Sequence, residues 1–204
     1  GGTTAFSTAT DTASLIVNAV NDAPVANAGG PYTITEGNTL NLNAAGTTDV
    51  DSPTLTYRWD LNNDGNYTDV QSNVATSAVT WSILSSFGLN DNGVYTIGLQ
   101  VDDGSGGVVT TTTTVTILNA APILTATGNA TTGANAVYTL TLNATDPGND
   151  TISGWTVNWG DGSIGTYSGN PGSVTHTYSN SEVGFTFDIT FSATDEDGTY
   201  FNSD

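Results

Sequence analysis

Basic and sulfur-containing residues are nearly missing from this sequence, which has no cysteine, methionine or lysine and a single arginine, Arg58. Without cysteine the chain forms no disulfide, thiolate metal site or thiol nucleophile. Without clustered lysine and arginine it cannot neutralise phosphate groups, which excludes nucleic acid as a partner and disfavours anionic membrane surfaces. No apolar run approaches the roughly 18 residues of a membrane-spanning helix, so we expect no membrane insertion.

Acidic side chains dominate the charge. The 204 residues include 20 Asp and Glu, and the formal net charge is −19 at pH 7. Only 10% of the residues are charged and 36% are hydrophobic, which is enough apolar material for packed cores and argues against general disorder. Because these carboxylates have almost no counter-charge, the composition favours binding of hard cations, which prefer oxygen ligands.

Short segments alternate apolar and polar residues with a period of two, which is the pattern of half-buried β-strands. The alternating segments are residues 40–43, 94–101, 108–117, 137–142 and 185–191. Residues 81–87 are compatible with one helical turn, which the Asn and Gly residues after it would end. Many short strands separated by turn residues predict an all-β sandwich architecture.

A loose internal repeat divides the chain. The segment around Trp59 is echoed around Trp159, and the Pro-containing joint at residues 21–24 is echoed at residues 119–122. A period of about 100 residues matches one small β-sandwich. We therefore predict two tandem sandwich domains, residues 22–120 and residues 121–204, preceded by an N-terminal β-strand within residues 1–21.

Several segments together resemble the PKD domain, an immunoglobulin-like β-sandwich found in tandem arrays of extracellular proteins. The segments of the first unit are residues 23–32, 36–37, 48–51, 57–65, 93–95 and 103–104, and those of the second are residues 159–162, 176–178, 184–187 and 195–198. Residues 21–24 also resemble the inter-repeat joint of cadherin-like bacterial arrays. The resemblance implies a bacterial protein with an extracellular or cell-surface location.

The two ends of the chain predict incomplete sandwiches. Residues 13–20 form an apolar, strand-like segment directly before the first joint, and residue 204 lies where the final strand of the second domain should begin. We expect residues 1–21 to complete a preceding or neighbouring sandwich. The chain is then one period of a longer tandem repeat cut within a domain, or a subunit that donates this strand to another copy. A third alternative is that the segment belongs to an unrelated preceding domain.

One loop has the spacing of a calcium-binding loop. Asp60, Asn62 and Asp64 place oxygen-bearing side chains at alternate positions, Gly65 permits a sharp turn, and Asn66 adds another oxygen. The loop departs from an EF-hand because it lacks the closing bidentate glutamate and is flanked by strands. The alternative is a polar hairpin turn in which the Asn and Asp side chains bond their own backbone.

A second set of predicted ligands follows from the family resemblance, because PKD-like and cadherin-like domains bind calcium through loop carboxylates and joint residues. The first joint would use Asn21, Asp22, Asp49, Asp51 and one of Asp102 or Asp103, and the second would use Asn119, Asp146, Asp150, Asp195 and Asp197. Carboxylates at a joint repel one another unless a divalent ion lies between them, so the ion would stiffen the array. The alternative is that these residues only keep the loops solvated.

The residue inventory favours a protein that is not an enzyme. His176 is the only histidine and lies in a strand motif that suggests a structural hydrogen bond, and the sequence shows no nucleophile–base constellation. We expect an extracellular structural repeat that forms a calcium-stiffened fibre, filament, surface layer or adhesin stalk. The alternative is a carbohydrate-binding or accessory module of a secreted enzyme, with Trp81 or Trp155 as the stacking platform.

Overall fold

The computed structural model describes Gly2, residues 14–17 and residues 20–202, and it consists mostly of short β-strands. The first half contains one helix, α1 (Trp81–Ser86), and seven strands: β1 (Tyr32–Thr35), β2 (Leu40–Asn43), β3 (Thr56–Asp60), β4 (Val70–Ser72), β5 (Thr76–Val79), β6 (Gly93–Asp102) and β7 (Val108–Leu118). The second half contains β8 (Ile123–Gly128), β9 (Val137–Thr145), β10 (Gly154–Asn158), β11 (Ile164–Ser168), β12 (Ser173–Thr177), a 3-10 turn (Asn180–Glu182), β13 (Thr190–Thr194) and β14 (Thr199–Phe201). Within these ranges no helix is long and apolar enough to span a bilayer.

The first half of the chain folds into one sandwich. Its larger sheet has the strand order β1-β7-β6-β3-β4, and its smaller sheet pairs β2 with β5. Inward-facing residues of both sheets form one core, in which Trp59, Leu99 and Leu42 are almost fully buried. The period-two pattern of the sequence arises because one face of each strand packs against the opposite sheet.

The second half folds into another sandwich, in which the sheet β11-β10-β13-β14 packs against the sheet β12-β9-β8. Its core centres on Trp155, Val157 and Trp159. The ring of His176 stacks on Trp159 with centroids 4.8 Å apart, and Tyr178 meets His176 edge-on at 4.6 Å. The all-β sandwich class that the alternation predicted is therefore confirmed.

Strand register corrects one detail of the internal repeat. Leu99 of β6 and Phe191 of β13 lie at the same distance from the turns that end these two strands, so they correspond to each other. Their partners on the neighbouring strands, Trp59 of β3 and Val157 of β10, therefore also correspond. The predicted equivalence of Trp59 and Trp159 is thus wrong by two residues. A shift of two residues keeps a side chain on the same face of its strand, so Trp159 still lies in the core.

The last strands of the two sandwiches differ in length. The alternation over residues 185–191 predicts a strand, but pairing starts only at Thr190, because residues 185–189 have no neighbouring strand within the described residues. The short β14 pairs with the end of β13, whereas β7 pairs with β6 from Gly93 to Asp102. Up to residue 202, where the description ends, the second sandwich thus contains a counterpart of only the first part of β7.

The predicted N-terminal strand forms no ladder with either sandwich in the described part of residues 1–21. Residues 14–17 and Val20 lie outside any strand, and the side chains of Leu15, Ile16 and Val17 are 87%, 82% and 82% exposed. Residues 1, 3–13, 18 and 19 lie outside the described residues. That this segment completes another sandwich stays a prediction.

Candidate metal centre at the domain junction

The two sandwiches meet at a junction formed by loops of both. The Trp81 indole N–H donates a hydrogen bond to the Pro147 carbonyl at 2.7 Å, and the Asn92 side-chain amide donates to the Asp197 carboxylate. Both bonds cross from the first sandwich to the second. They hold the loops in contact and bring acidic residues of both sandwiches together.

Five carboxylates converge at this junction. Oxygens of Glu36, Asp146 and Asp150 all lie within 4.8 Å of one another, and the same holds for oxygens of Asp91, Asp150 and Glu196. Asp150 belongs to both groups and links them. We call these five residues the junction cluster.

Turns beside the strand ends position the cluster. Glu36 directly follows β1, and one of its carboxylate oxygens accepts the Ala120 N–H at 2.9 Å. Asp91 lies in the turn before β6, where its carbonyl accepts the Tyr95 hydroxyl hydrogen at 2.9 Å. Asp146 directly follows β9. The cluster is therefore built by residues just beyond the ordered strands, which fix where each turn begins.

The cluster contains buried oxygens that have no hydrogen-bond partner among the described residues. They are Glu36 Oε1, Asp146 Oδ2 and both carboxylate oxygens of Asp150. Glu36 is only 3% exposed, so its unpartnered oxygen is not solvated from outside. Burying several unpaired carboxylates is unfavourable unless a cation compensates their charge.

The ligand chemistry of the cluster is that of a hard cation. Every candidate ligand is a carboxylate oxygen, which suits Ca²⁺ or Mg²⁺ rather than the nitrogen- and sulfur-seeking Zn²⁺. Ca²⁺ takes several carboxylates in a flexible geometry, whereas Mg²⁺ keeps much of its water. A set of acids drawn from two domains therefore fits calcium best.

Burial, and secondarily the neighbouring carboxyls, raise the pKa values of two acids in the cluster. Burial, together with the neighbouring carboxyls of Asp146 and Glu36, raises the pKa of Asp150 to about 7. Burial also raises the pKa of Glu36 above its ordinary value, although the bond from Ala120 opposes this, and Asp146 adds to it. Without a cation, the junction thus favours protonated carboxyls over adjacent negative charges.

Gly148 lies between carboxylates of the two sandwiches. A Cβ atom built on Gly148 would lie 2.7 Å from Glu36 Cδ and 2.7 Å from a carboxylate oxygen of Asp150. The missing side chain therefore lets the Glu36 carboxylate pack closely against this turn of the second sandwich, beside Asp150.

The structure brings some predicted ligands of the second joint into this cluster and leaves others beside it. Asp146 and Asp150 are members. Asp195 is 6% exposed, and one of its oxygens accepts the N–H groups of Asp197 and Gly198 at 2.9 and 3.0 Å, while Oδ2 is buried and has no partner among the described residues. Whether these residues bind a metal stays a prediction.

Sequence reasoning missed three members of the cluster: Glu36, Asp91 and Glu196. Each is an acid in a turn at the end of a sandwich that faces the second joint, and that shared position was the available signal.

The side-chain amide of Asn119, a predicted ligand, donates to the Tyr200 hydroxyl at 2.6 Å, and Asn119 Oδ1 has no partner in the described part of the chain.

At the first joint, the predicted residues bond mainly to one another. The Asn21 side-chain amide donates to Asp103 at 2.8 Å, and the Asp22 N–H donates to Asp51 at 2.7 Å. One oxygen of Asp49 accepts the Asp51 N–H at 2.8 Å. The structure thus links Asn21 with Asp103, and Asp51 with Asp22 and Asp49, and calcium binding here stays a prediction.

Asp102 departs from the predicted ligand set. Its carboxylate lies 3.0 Å from Arg58 Nη1, and it also accepts the Gly104 N–H at 2.8 Å. The bonds from Gly104 and Arg58 hold the pKa of Asp102 below its usual range. Of the two alternatives, Asp103 is therefore the residue that faces the joint.

The loop with calcium-like spacing uses its oxygens for its own turn. The fully buried Asp60 accepts the N–H groups of Asp64 and Gly65 at 3.1 and 2.7 Å, and Asp64 accepts that of Asn66 at 2.8 Å. The Asn62 amide donates to Asp64 at 3.1 Å. These contacts favour the interpretation as a polar hairpin turn, and calcium binding at this loop stays a prediction.

The remaining candidate residues have structural contacts. His176 Nε2 lies 2.7 Å from Asp161 Oδ2, which confirms the predicted hydrogen bond. Trp155 is 2% exposed, and Trp81 packs partly buried against the first core while bonding Pro147. Trp155 is therefore not exposed as a stacking platform, and Trp81 is only partly exposed.

The first sandwich matches the model of a known protein family. Residues 21–117 match the family model described as the PKD domain. No curated protein matches the chain significantly. The chain is similar to a carbohydrate-binding module of the β-sandwich superfamily (16% identity, 89% of this chain and 95% of that one, TM-score 0.40). It is also similar to the IG1 and IG2 domains of DIP-gamma (11%, 90% and 97%, TM-score 0.36) and to a 1.5-MDa bacterial ice-binding adhesin (14%, 90% and 65%, TM-score 0.32).

The family match covers the whole first sandwich, from the first joint to the end of β7. The strand order, the buried Trp59 and the turn fixed by Tyr95 all lie within the matched range. Residues 21–117 of this chain are a PKD domain.

Proposed function

We propose that the protein is a non-catalytic, extracellular structural module whose two sandwiches are held in a fixed orientation by calcium at their junction. The observation that carries this proposal is the buried Glu36 carboxylate of the first sandwich, which lies against Asp150 of the second with one oxygen unpartnered among the described residues. Such a contact between buried carboxyls is stable only when a cation or a proton compensates the negative charge.

In this proposal, calcium acts by limiting the motion of one sandwich relative to the other. Without calcium, the ionised carboxylates repel across the junction and oppose the hydrogen bonds Trp81–Pro147 and Asn92–Asp197 that link the sandwiches. A divalent ion between the acids attracts the carboxylates of both sandwiches. It would therefore restrict the orientations that one sandwich can take relative to the other. The chain then behaves as a stiff rod segment.

A stiff two-sandwich segment of this kind is suited to an array of copies linked end to end. The first joint repeats the Asn-x-Ala-Pro sequence of the second and gathers its own carboxylates, which supports the same connection to a preceding sandwich. Copies linked in this way, by tandem repetition or by strand donation, would form a fibre, filament, surface layer or adhesin stalk at the cell surface. The main partner of the chain is then another copy of itself.

Calcium titration tests the proposal. Isothermal titration should show calcium binding, and the midpoint of thermal unfolding should rise on adding calcium and return on adding chelator. Magnesium at the same concentration should have a smaller effect, because it loses its hydration water reluctantly. A midpoint that does not respond to calcium would contradict the proposal.

A further inference from the structure

The sequence contains a single Asn-Gly pair, Asn92-Gly93, and the fold places it at the domain junction. Asn92 is half-buried in the turn before β6, and Gly93 is exposed and is the first residue of that strand. The φ angle of Gly93 is 147°, a backbone conformation that residues with a Cβ atom rarely adopt. The turn therefore requires a glycine directly after this asparagine.

An asparagine followed by glycine is chemically labile, because no neighbouring Cβ atom shields the next backbone nitrogen. The Gly93 nitrogen can attack Asn92 Cγ and close a five-membered succinimide ring. The new C–N bond replaces the bond from Cγ to Nδ2, and Nδ2 leaves as ammonia with the proton that the Gly93 nitrogen gives up. Water then opens the ring at either carbonyl and leaves aspartate or isoaspartate. Water is the only co-reactant.

The folded junction restrains this reaction. The leaving group, Asn92 Nδ2, donates a hydrogen bond to the Asp197 carboxylate of the second sandwich. The nucleophile lies in the Gly93 backbone, which is paired with Ile117 at the end of the ladder between β6 and β7. To cyclise, the Asn92 side chain has to leave Asp197 and turn back onto its own backbone. The contact between the sandwiches must therefore break first.

We propose that Asn92 is a deamidation site that a closed junction protects and an open junction exposes. The inference concerns regulation of the proposed calcium-held junction and so rests in part on the proposed function. Calcium that holds the two sandwiches together keeps Asn92 on Asp197 and slows the reaction. Chains that spend time without calcium become modified at this residue.

Deamidation would weaken the junction that had protected Asn92. The product has a carboxylate in place of the amide, directly against Asp197 and next to Asp91 of the junction cluster. The hydrogen-bond donor across the junction is lost, and a contact between like charges replaces it. One covalent step thus turns an attraction between the sandwiches into a repulsion.

Mass spectrometry of the native chain, incubated in chelator and digested, measures the rate at each asparagine from the mass gained when NH2 becomes OH. Asn73 is the internal control, because it is exposed but is followed by Val74. Asn92 should deamidate at least about tenfold faster than Asn73, because the branched side chain of Val74 shields the attacking nitrogen. A rate at Asn92 that does not exceed the rate at Asn73 would overturn the proposal.

The protective contact is tested by Asp197→Ala. In chelator, Asn92 should deamidate about twofold to tenfold faster in this variant than in the native chain, because one hydrogen bond no longer restrains its side chain. Asp188→Ala is the matched control: Asp188 is exposed and lies outside the junction cluster, so Asn92 should react at the native rate. Equal rates at Asn92 in the native chain and in Asp197→Ala would contradict protection by the junction.

The consequence for the junction is tested by comparing Asn92→Asp with Asn92→Ala. Both variants lose the hydrogen bond to Asp197, but only Asn92→Asp adds a charge. Its midpoint of thermal unfolding in chelator should be the lower of the two, and added salt should reduce the difference, because salt screens the repulsion. Equal midpoints at low salt would contradict the predicted repulsion.

Calcium separates this inference from the proposed function. In the native chain, calcium should slow deamidation at Asn92 and leave the rate at Asn73 unchanged. If calcium raises the melting midpoint but does not slow the reaction at Asn92, the inference is wrong and the proposed function stands. If calcium leaves the midpoint unchanged, the proposed function is wrong, and the measurements in chelator still decide whether the contact with Asp197 protects Asn92.

Discussion

Glu36 and Asp150 lie in different sandwiches, yet their carboxylates approach to within 4.8 Å, and each has a buried oxygen without a partner among the described residues. This contact is part of a cluster in which acids of the two sandwiches lie together at the junction. A divalent ion can compensate there for the repulsion that the fold itself creates.

Glu36→Gln should abolish most of the calcium response. The substitution keeps the shape of the side chain but removes one negative ligand, so calcium should raise the melting midpoint much less than in the native chain. For the native chain, calcium at a hundred times its dissociation constant would contribute about 2.7 kcal/mol to the free energy of unfolding. In chelator the variant should be as stable as the native chain or more stable, because a buried like-charge contact is removed.

Asp188→Asn is the matched control for Glu36→Gln. It also removes one negative charge, but Asp188 is exposed and lies outside the junction cluster. Its calcium response should equal that of the native chain. An equal loss in both variants would show that calcium acts through overall charge and not through the junction.

Gly148→Ala should block calcium binding without removing any ligand. The new Cβ atom would lie 2.7 Å from both Glu36 Cδ and an Asp150 oxygen, so the carboxylates would have to move apart. Isothermal titration should show at least about tenfold weaker binding, because the site loses its geometry. Gly133→Ala is the control, since a Cβ there comes no nearer than 3.7 Å to a neighbour. Native affinity in Gly148→Ala would show that the close approach of Glu36 to Asp150 is not needed for calcium binding.

The stability of the calcium-free chain should fall between about pH 4 and pH 7. The pKa of Asp150 is raised from about 3.9 in the unfolded chain to about 7 in the folded one. Proton uptake by the folded state therefore stabilises it below the unfolded pKa, and this contribution is lost as the pH rises through the folded pKa.

Thermal unfolding in chelator across this range measures the effect. Asp150→Asn should flatten the profile, because its amide does not titrate, whereas Asp188→Asn should keep the slope. Whereas the stability of the calcium-free chain falls as the pH rises, calcium affinity should increase up to about pH 7. Calcium binding requires the ionised carboxylate of Asp150. Identical slopes in the native chain and Asp150→Asn would contradict this account.

Asp161→Asn should destabilise the second sandwich by about 1–3 kcal/mol, because it breaks a largely buried network with His176 and Ser163. Although burial opposes it, bonds from Ser163 and His176 hold the pKa of Asp161 at about 2. The network thus contributes stability above about pH 4 that is lost as the pH falls through about 2. Urea unfolding followed by tryptophan fluorescence measures the loss, and Asp188→Asn should cost less than about 0.5 kcal/mol.

Local pattern was enough to predict the sandwich class. The alternation in residues 40–43 and 108–117 marked strands because one face of each is buried, and that signal is local. The extent of β13 was not predictable in this way. Residues 185–189 alternate like a strand, but pairing depends on a neighbour that the local sequence does not specify.

The site was predicted only in part, for a similar reason. Asp146 and Asp150 were predicted because they precede a segment that resembles the PKD family. Glu36 and Asp91 belong to the preceding domain and reach the site only through the packing of two sandwiches, which no motif in one domain encodes. Gly148 contributes because it has no side chain that would collide with Glu36. The sequence could not predict this contact, because Glu36 belongs to the other sandwich.

The distance distribution between the two sandwiches tests the central claim most directly. Spin labels at Thr110→Cys and Thr166→Cys would sit on exposed strand positions, one in each sandwich, in a chain without native cysteine. Double electron–electron resonance should show a broad distribution in chelator that narrows to a single peak in calcium, and Glu36→Gln should stay broad in both. The same distribution with and without calcium in the native chain would contradict a calcium-stiffened junction.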